Sequence, residues 1–300
     1  MTGSQKRRME TFVRLAADLA GQVVGKREVV WCPLCLGEFG REAITAGILT
    51  EEHVIPQSAG GRETTLTCKP CNDVAGHEID SHLARKIRQD QGMSGQKSVR
   101  GKIKVNGVGA GVEFIMKPGG DLEIHAKSTT HHVEAKLIEA AQLHMSGQRP
   151  LRFKIMNSVD LSKYLASVMK AAYLGLFVDR GYSYILLPAL DNIRRAIRED
   201  GSDRNRLREV VVPCNITDFG DLPGEPTRLT FETHSLGGVA ACLSLVNLRN
   251  SSGAAWVVLP PGTNVNSGSW EGLGRAAEVL RGKSDVHLEM KDGEVTITGL

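Results

Sequence analysis

The sequence has little of several features that would indicate a particular class of protein. Aromatic residues make up only 5% of its 300 residues, and the formal net charge is only +3. The global charge therefore does not indicate a nucleic-acid partner. We also find no internal repeat, so a repeat architecture is not expected. The hydrophobic content of 41% and charged content of 24% are those of an ordinary soluble protein with two domains or one large one.

Long apolar runs are missing as well. The longest candidate, Tyr164 to Val178, is interrupted by Lys170. It falls short of the roughly 18 apolar residues of a membrane span, so we interpret it as a buried helix. Residues 1–9 are polar and predict a flexible arm, and Met9 to Val24 predicts an amphipathic helix. Charged residues within that helix argue against a signal peptide. We therefore expect a cytoplasmic protein with no membrane segment.

Cysteines are few, but four of the six form two closely spaced pairs, Cys32-Pro-Leu-Cys35 and Cys68-Lys-Pro-Cys71. Four thiolates at this spacing are typical of a closed tetrahedral zinc site. A thioredoxin-like redox pair and buried structural cysteines are the alternatives. A redox site needs a single pair near a βαβ pattern, and disulfides are not expected without a secretory signal. With four cysteine ligands no position is open to substrate, so the Zn²⁺ would be structural.

The stretch between the pairs carries the residues suited to chemistry. Glu51-Glu52-His53-Val54-Ile55-Pro56 is followed by the turn signal Gly60-Gly61 and by a β-prone segment, and Asn72 opens a helical stretch. The coarse pattern is strand, loop, strand, helix. Residues 28–90 thereby resemble the HNH endonuclease family, whose fold is ββα-metal. The residues that carry the resemblance are Cys32, Cys35, Glu52 to Pro56, Gly60-Gly61, Leu66, Cys68, Cys71 and Asn72.

The resemblance implies a role for each matching residue. His53 corresponds to the general base, and Glu52 and Asn72 correspond to ligands of a catalytic cation, Mg²⁺ or Mn²⁺. Two positions depart from the family pattern. Thr65 stands where an asparagine usually braces the loop or the histidine, and Gly76 stands where some relatives have a further ligand.

The chemistry of these residue types agrees with the implied roles. Phosphodiester hydrolysis needs an activated water and a cation that stabilises developing negative charge. A neutral imidazole, with a pKa near 6.5, accepts a proton near pH 7, and carboxylate and amide oxygens suit Mg²⁺ or Mn²⁺. In a regular strand, however, Glu52 and His53 would point to opposite faces. They share a site only if the backbone bends there or the cation lies at the strand edge. The alternative is that His53 is an ordinary loop histidine.

A local excess of basic residues follows the candidate nuclease motif. The stretch contains a single acidic residue, Asp90. Its basic residues are Arg85, Lys86, Arg88, Lys97, Arg100, Lys102 and Lys104. Such a stripe can follow the phosphates of DNA. A solvated helix face and linker is the other interpretation.

We expect an α+β protein with three parts. Residues 1–27 form an N-terminal arm and helix, residues 28–92 a zinc-stabilised ββα-metal nuclease domain, and residues 93–300 a mixed α+β accessory domain of unrecognised fold. The accessory domain would serve targeting, regulation or homo-oligomerisation. In it we predict helices over 161–178 and 191–199, a strand over 182–187 and a late run of strands.

The expected function is metal-dependent hydrolysis of DNA, in a restriction or defence nuclease for example. A nucleic-acid-binding zinc module with a decayed catalytic centre is the alternative, as Thr65 would allow.

Overall fold

The computed structural model describes most of the chain in detail. It describes residues 2–105, 108–117, 121–126, 131–148, 153–155, 159–214, 227–236, 239–247, 254–261, 269–281, 287–291 and 294–298. The protein is a mixture of helices and small sheets, which confirms the α+β class. No helix within these ranges is both long and apolar enough to cross a membrane.

The helices differ widely in length. The α-helices are α1 (Gly3–Gln22), α2 (Glu42–Thr45), α3 (Lys69–Val74), α4 (Ser81–Met93), α5 (His131–Met145), α6 (Leu161–Arg180), α7 (Tyr182–Ile185), α8 (Asp191–Arg198), α9 (Ser202–Asn205), α10 (Leu207–Val210) and α11 (Trp270–Arg281). A π-helix, Ala75–Asp80, joins α3 to α4, and 3-10 turns span Gln57–Ala59 and Pro188–Leu190.

All the strand pairs of the described residues are antiparallel. The strands are β1 (Val29–Trp31), β2 (Glu38–Gly40), β3 (Leu49–His53), β4 (Thr64–Cys68), β5 (Val99–Val105), β6 (Val108–Met116), β7 (Leu122–Ala126), β8 (Phe153–Ile155), β9 (Val211–Cys214), β10 (Thr227–Leu236), β11 (Val239–Asn247), β12 (Ala254–Leu259), β13 (His287–Lys291) and β14 (Glu294–Thr298). They form the hairpins β1-β2, β3-β4 and β13-β14 and two four-stranded sheets, in the orders β10-β11-β12-β9 and β7-β6-β5-β8.

The chain divides into two compact units. The first contains Met1–Ala84, Leu161–Arg249 and Gly253–Leu300, and the second contains Arg85–Asp160 and Asn250–Ser252. This division differs from the predicted boundary at residue 92, because the first segment of the first unit ends at Ala84 and most of the chain after Leu161 lies in the same unit as the cysteine pairs. The second unit by itself consists of the sheet β7-β6-β5-β8, with α5 packed on β6 and the end of α4 preceding β5.

Helix α6 is the centre of the first unit. Every residue from Tyr164 to Phe177 is buried, as predicted for this apolar stretch. A helix that is apolar on all sides must be covered on all sides. The strands β9 to β12 and the helices α7, α8 and α10 contact it, and so does the π-helix. Each fully buried Leu or Phe contributes about 1.5–3 kcal/mol relative to exposure, so this helix is a major source of stability.

The N-terminal segment is helical, so the prediction of a flexible arm over residues 1–9 is wrong. Helix α1 begins at Gly3, and Thr2 caps it: its hydroxyl accepts from the Gln5 amide, while the Gln5 side chain accepts from the Thr2 amide. This reciprocal capping box satisfies two backbone donors of the first turn. Arg8 then donates to the carbonyl of Leu49 at 3.4 Å, which joins the helix to β3.

Two other local predictions also failed. The segment Tyr182–Ile185 is a helical turn and not a strand, although aromatic and β-branched residues favour strands. Both of its tyrosines are buried and their hydroxyls bond distant backbone groups, so tertiary contacts outweigh the weak intrinsic preference. Helix α11 was not predicted at all, and it packs against α10 and against β11 in the late run of strands.

Candidate active site

The two cysteine pairs come together in the first unit. The four sulfur atoms of Cys32, Cys35, Cys68 and Cys71 all lie within 4.8 Å of one another, and Sγ of Cys35 is 3.7 Å from Sγ of Cys68. A tetrahedron with Zn–S bonds of about 2.3 Å has S–S edges of about 3.8 Å. The cluster is therefore consistent with a zinc knuckle, and no other such group of His, Cys, Asp or Glu was found in the part of the chain that the structure describes.

Local backbone geometry builds each half of the cluster. The first pair occupies the tight connection between β1 and β2, where Leu36 takes a left-handed conformation with φ of 58° and Cys32 N donates to the Gly37 carbonyl. The Gly37 amide donates to Sγ of Cys35 at 3.4 Å. The second pair spans the end of β4 and the first turn of α3, and the amide of Cys68 donates to Sγ of Cys32. Amide donors of this kind stabilise thiolates, as a metal ligand requires.

Two tyrosines from the later part of the chain hold the first knuckle. The Tyr173 hydroxyl donates to the carbonyl of Pro33 at 2.7 Å. The Tyr182 hydroxyl donates to the carbonyl of Trp31 at 2.6 Å and accepts from the Trp31 amide at 2.8 Å. Burial raises the pKa of both tyrosines, so the two hydroxyls keep their protons. The cysteine cluster therefore depends on residues that lie far outside the motif.

The three predicted site residues between and after the knuckles line one cavity. Its volume is about 330 Å³, and Glu52, His53 and Asn72 all contribute to its wall. The expected conflict between Glu52 and His53 is resolved because His53 is the last residue of β3 and the chain bends immediately after it. Pairing with β4 continues up to that point, with Glu52 opposite Thr65 and His53 opposite Thr64.

The predicted glycine turn shapes the loop beside His53. Gly60 has a φ of 88°, a left-handed conformation that ends the 3-10 turn. Gly61 lies so close to the chain just after β3 that a Cβ atom placed on it would be 1.8 Å from the carbonyl oxygen of Ile55. Only glycine fits there without moving the backbone. The loop then returns along the strand, and the Val54 amide donates to the Glu63 carbonyl at 2.9 Å.

Asn72 braces the strand that carries the site. Its amide nitrogen donates to the Thr50 hydroxyl and to the Glu51 carbonyl, both at 2.9 Å. The amide oxygen is then the atom that could ligate a cation. Thr65, by contrast, is buried, and its hydroxyl makes no hydrogen bond with the described residues. The bracing expected of an asparagine at position 65 is thus absent there, and Asn72 holds the neighbouring backbone.

Glu52 belongs to a buried cluster of charged residues. The ammonium of Lys170, on α6, hydrogen-bonds Oε1 of Glu52 and lies 2.6 Å from Oδ2 of Asp80. The Ser167 hydroxyl donates to Oδ1 of Asp80 at 2.6 Å. Asp80 also lines the cavity. Ser167, Lys170 and Asp80 were not identified from the sequence, although Lys170 had been noted as the single interruption of an apolar stretch.

The π-helix explains how Asp80 reaches the cavity. In a regular α-helix, residues eight apart differ by about 80° around the axis, so Asp80 would be rotated away from Asn72. A π-turn contains more residues, which reduces the rotation per residue. Asn72, Gly76 and Asp80 consequently all line the same cavity. Gly76 provides no ligand, as expected, but the next turn brings a carboxylate to that wall.

Burial shifts the proton affinities at the cavity. Burial lowers the pKa of His53 despite the opposing charges of Glu51 and Asp80, and Lys170 adds to the lowering, so the imidazole is neutral near pH 7 and can accept a proton. Burial raises the pKa of Glu52 against the opposing effect of Lys170. Burial by itself would lower the pKa of Lys170, but Asp80 and Glu52 more than compensate and raise it. Lys170 is therefore charged.

The basic residues belong to the second unit. Arg85 and Arg88 are exposed on α4, Lys97 is exposed after it, and Arg100 is exposed on β5. Lys86 is only half-exposed and forms an ion pair with Asp90 at 2.6 Å, one helical turn away. The side chains of the three arginines are exposed to solvent, and the charge of Lys86 is partly neutralised by Asp90.

Comparison with known proteins agrees with the resemblance seen in the motif. Residues 28–88, about a fifth of the chain, match the family model described as HNH endonuclease. This match confirms the predicted resemblance for that segment. No curated protein and no solved structure matches the chain.

Proposed function

We propose that this protein is a metal-dependent endonuclease that hydrolyses phosphodiester bonds in DNA. The observation that carries the proposal is the common cavity of Glu52, His53 and Asn72 in a segment that matches the HNH endonuclease model. The neutral imidazole of His53 accepts the proton of the attacking water. A positioned base of this kind contributes about 10²–10⁴ to the rate.

The donors at the cavity fit a hard divalent cation. Glu52 offers a carboxylate and Asn72 an amide oxygen, and Mg²⁺ and Mn²⁺ prefer such oxygen ligands. When bound, the cation would stabilise the negative charge that develops on the phosphate and the leaving oxygen. Glu52 and Asn72 would hold the cation, and Gly61 allows its loop to pack against the backbone of Ile55, two residues after His53.

The cysteine cluster has a different role in the proposal. Cys32, Cys35, Cys68 and Cys71 would bind one Zn²⁺ and contribute to folding, not to hydrolysis. The support is the sulfur geometry and the absence of a fifth ligand within the described residues.

The test is nicking of supercoiled plasmid DNA by the purified protein with Mg²⁺ or Mn²⁺, compared with EDTA. His53→Ala should fold and bind DNA but lower the nicking rate by about two to four orders of magnitude. Metal-dependent nicking by wild type that His53→Ala abolishes would support the enzyme. DNA binding without nicking by wild type would favour the alternative, a binding module with an inactive centre.

A further inference from the structure

Lys170 is the most unusual side chain in α6. It has no exposed surface, and lysines are almost never fully buried unless they are paired. Its neighbours in the helix are apolar, apart from Ser167 and the tyrosines. Replacing a buried ion pair by apolar residues is often neutral or stabilising, so fold stability alone does not explain this lysine. Its location does suggest an explanation, because it contacts two carboxylates of the cavity wall.

The contacts of the cluster distinguish the two carboxylates. Both oxygens of Asp80 are engaged, Oδ1 by Ser167 and Oδ2 by Lys170. Lys170 bonds only Oε1 of Glu52. Within the described residues, Oε2 of Glu52 accepts no hydrogen bond. The arrangement thus fixes the Glu52 side chain through one oxygen and leaves the other for a ligand.

We infer that Lys170 is a positioning residue of the active site, which holds the Glu52 carboxylate in the orientation that binds the catalytic cation. The inference rests on the proposed nuclease function, and it makes α6 a part of the site. Because Lys170 is fully buried, it cannot touch the substrate and must act through Glu52. Ser167 and Asp80 extend the same chain of hydrogen bonds and fix the ammonium in turn.

The same helix supplies a matched control. Tyr173 is also fully buried on α6 and also bonds the nuclease segment, but its partner is Pro33 in the zinc knuckle. Tyr173→Phe removes two buried hydrogen bonds, the one donated to Pro33 and the one accepted from Arg194, without touching the cavity. Lys170→Met removes the ammonium and keeps a chain of similar length. A general weakening of the docking of α6 would affect both variants, whereas loss of Glu52 positioning would affect only Lys170→Met.

The experiment measures Mn²⁺ dependence in the zinc-loaded, full-length protein. Plasmid nicking gives the Mn²⁺ concentration for half-maximal rate, and Mn²⁺ paramagnetic resonance gives binding without DNA. Partners that orient metal ligands typically contribute 10–100-fold to metal affinity or activity. We expect Lys170→Met to raise both Mn²⁺ midpoints 10–100-fold, and Tyr173→Phe to keep them at the wild-type values. Ser167→Ala should shift them in the same direction by a smaller factor.

The outcomes separate this inference from the function on which it rests. Unchanged midpoints in folded Lys170→Met, or equal shifts in Tyr173→Phe, would overturn it. If thermal melting shows that Lys170→Met does not fold, Ser167→Ala decides in its place, and an unchanged midpoint there overturns the inference. If wild type binds Mn²⁺ but nicks no plasmid, the nuclease proposal fails, while the binding midpoints still test the role of Lys170.

Discussion

Lys170 hydrogen-bonds Glu52 across a separation of 118 residues in the chain. Glu52 lies in the segment that matches the HNH endonuclease model, and Lys170 lies outside that segment. Together with the hydrogen bonds of Tyr173 and Tyr182, this contact connects residues 28–88 to helices much later in the chain. Helix α6 contacts a carboxylate of the cavity wall through Lys170 and the first cysteine knuckle through Tyr173, and α7 contacts that knuckle through Tyr182.

The first prediction concerns a fragment that stops at residue 92. The fragment loses α6, which packs on the π-helix, and leaves the Trp31 amide and carbonyl and the Pro33 carbonyl without their tyrosine partners. The apolar surface that α6 covers would then contact water, at a cost of about 25 cal/mol per Å². We expect circular dichroism and amide hydrogen exchange to show a largely unfolded fragment even with Zn²⁺ present. A folded fragment that exchanges as slowly as the full chain would contradict the dependence on α6.

The second prediction concerns the charge of Glu52. Glu52→Gln removes the negative charge but keeps an oxygen that Lys170 can bond, and Lys170 stays paired with Asp80, so we expect the protein to fold. With a weaker ligand, the Mg²⁺ concentration for half-maximal nicking should rise by about 10-fold or more. Glu42→Gln is the control, since Glu42 does not line this cavity. The same Mg²⁺ titration for both variants would refute the assignment of Glu52.

The third prediction concerns the cysteine cluster. Cys71→Ser removes one of four clustered thiols, and we expect loss of Zn²⁺ by elemental analysis together with a large drop in melting temperature, because metal-binding energy is folding energy. Cys242→Ala is the control, because Cys242 is a buried cysteine outside the cluster. It should keep one Zn²⁺ per chain. Active wild-type protein that contains no zinc would rule out the structural site.

The fourth prediction separates the basic residues of α4. Arg85 and Arg88 are exposed, and Lys86 is half-exposed and paired with Asp90. If these arginines contact phosphates, each replacement by Gln should lower the slope of log affinity against log salt by about 0.9 for duplex DNA. Lys86→Gln should change the slope less, because part of its charge is already neutralised. Salt titrations of DNA binding that give wild-type slopes for Arg85→Gln and Arg88→Gln would show that this face does not bind DNA.

The DNA-binding prediction concerns affinity and not sequence preference. Phosphate contacts position a duplex but carry no sequence information. The arginine variants should therefore weaken binding to all sequences by similar factors, which competition with unrelated duplexes would measure.

The sequence by itself determined the local parts of the site. The spacing of Cys32, Cys35, Cys68 and Cys71 indicated one metal cluster, and the glycine pair at 60 and 61 indicated the turn beside His53. The antiparallel strands β3 and β4 followed by α3 also agree with the pattern. These features follow from chemistry within a few residues, such as ligand spacing, left-handed backbone and strand alternation. The apolar stretch around Lys170 likewise predicted a buried helix correctly.

The tertiary structure decided which distant groups complete that site. Nothing in the local pattern shows that Lys170 meets Glu52, that a π-turn brings Asp80 to the cavity wall, or that Tyr182 bonds Trp31. Such contacts depend on how α6 packs between residues 28–88 and the sheet β10-β11-β12-β9. Because these groups are buried, the stability of the fold depends on the contacts. A buried charge or polar group is stable only when a partner from elsewhere in the chain satisfies it.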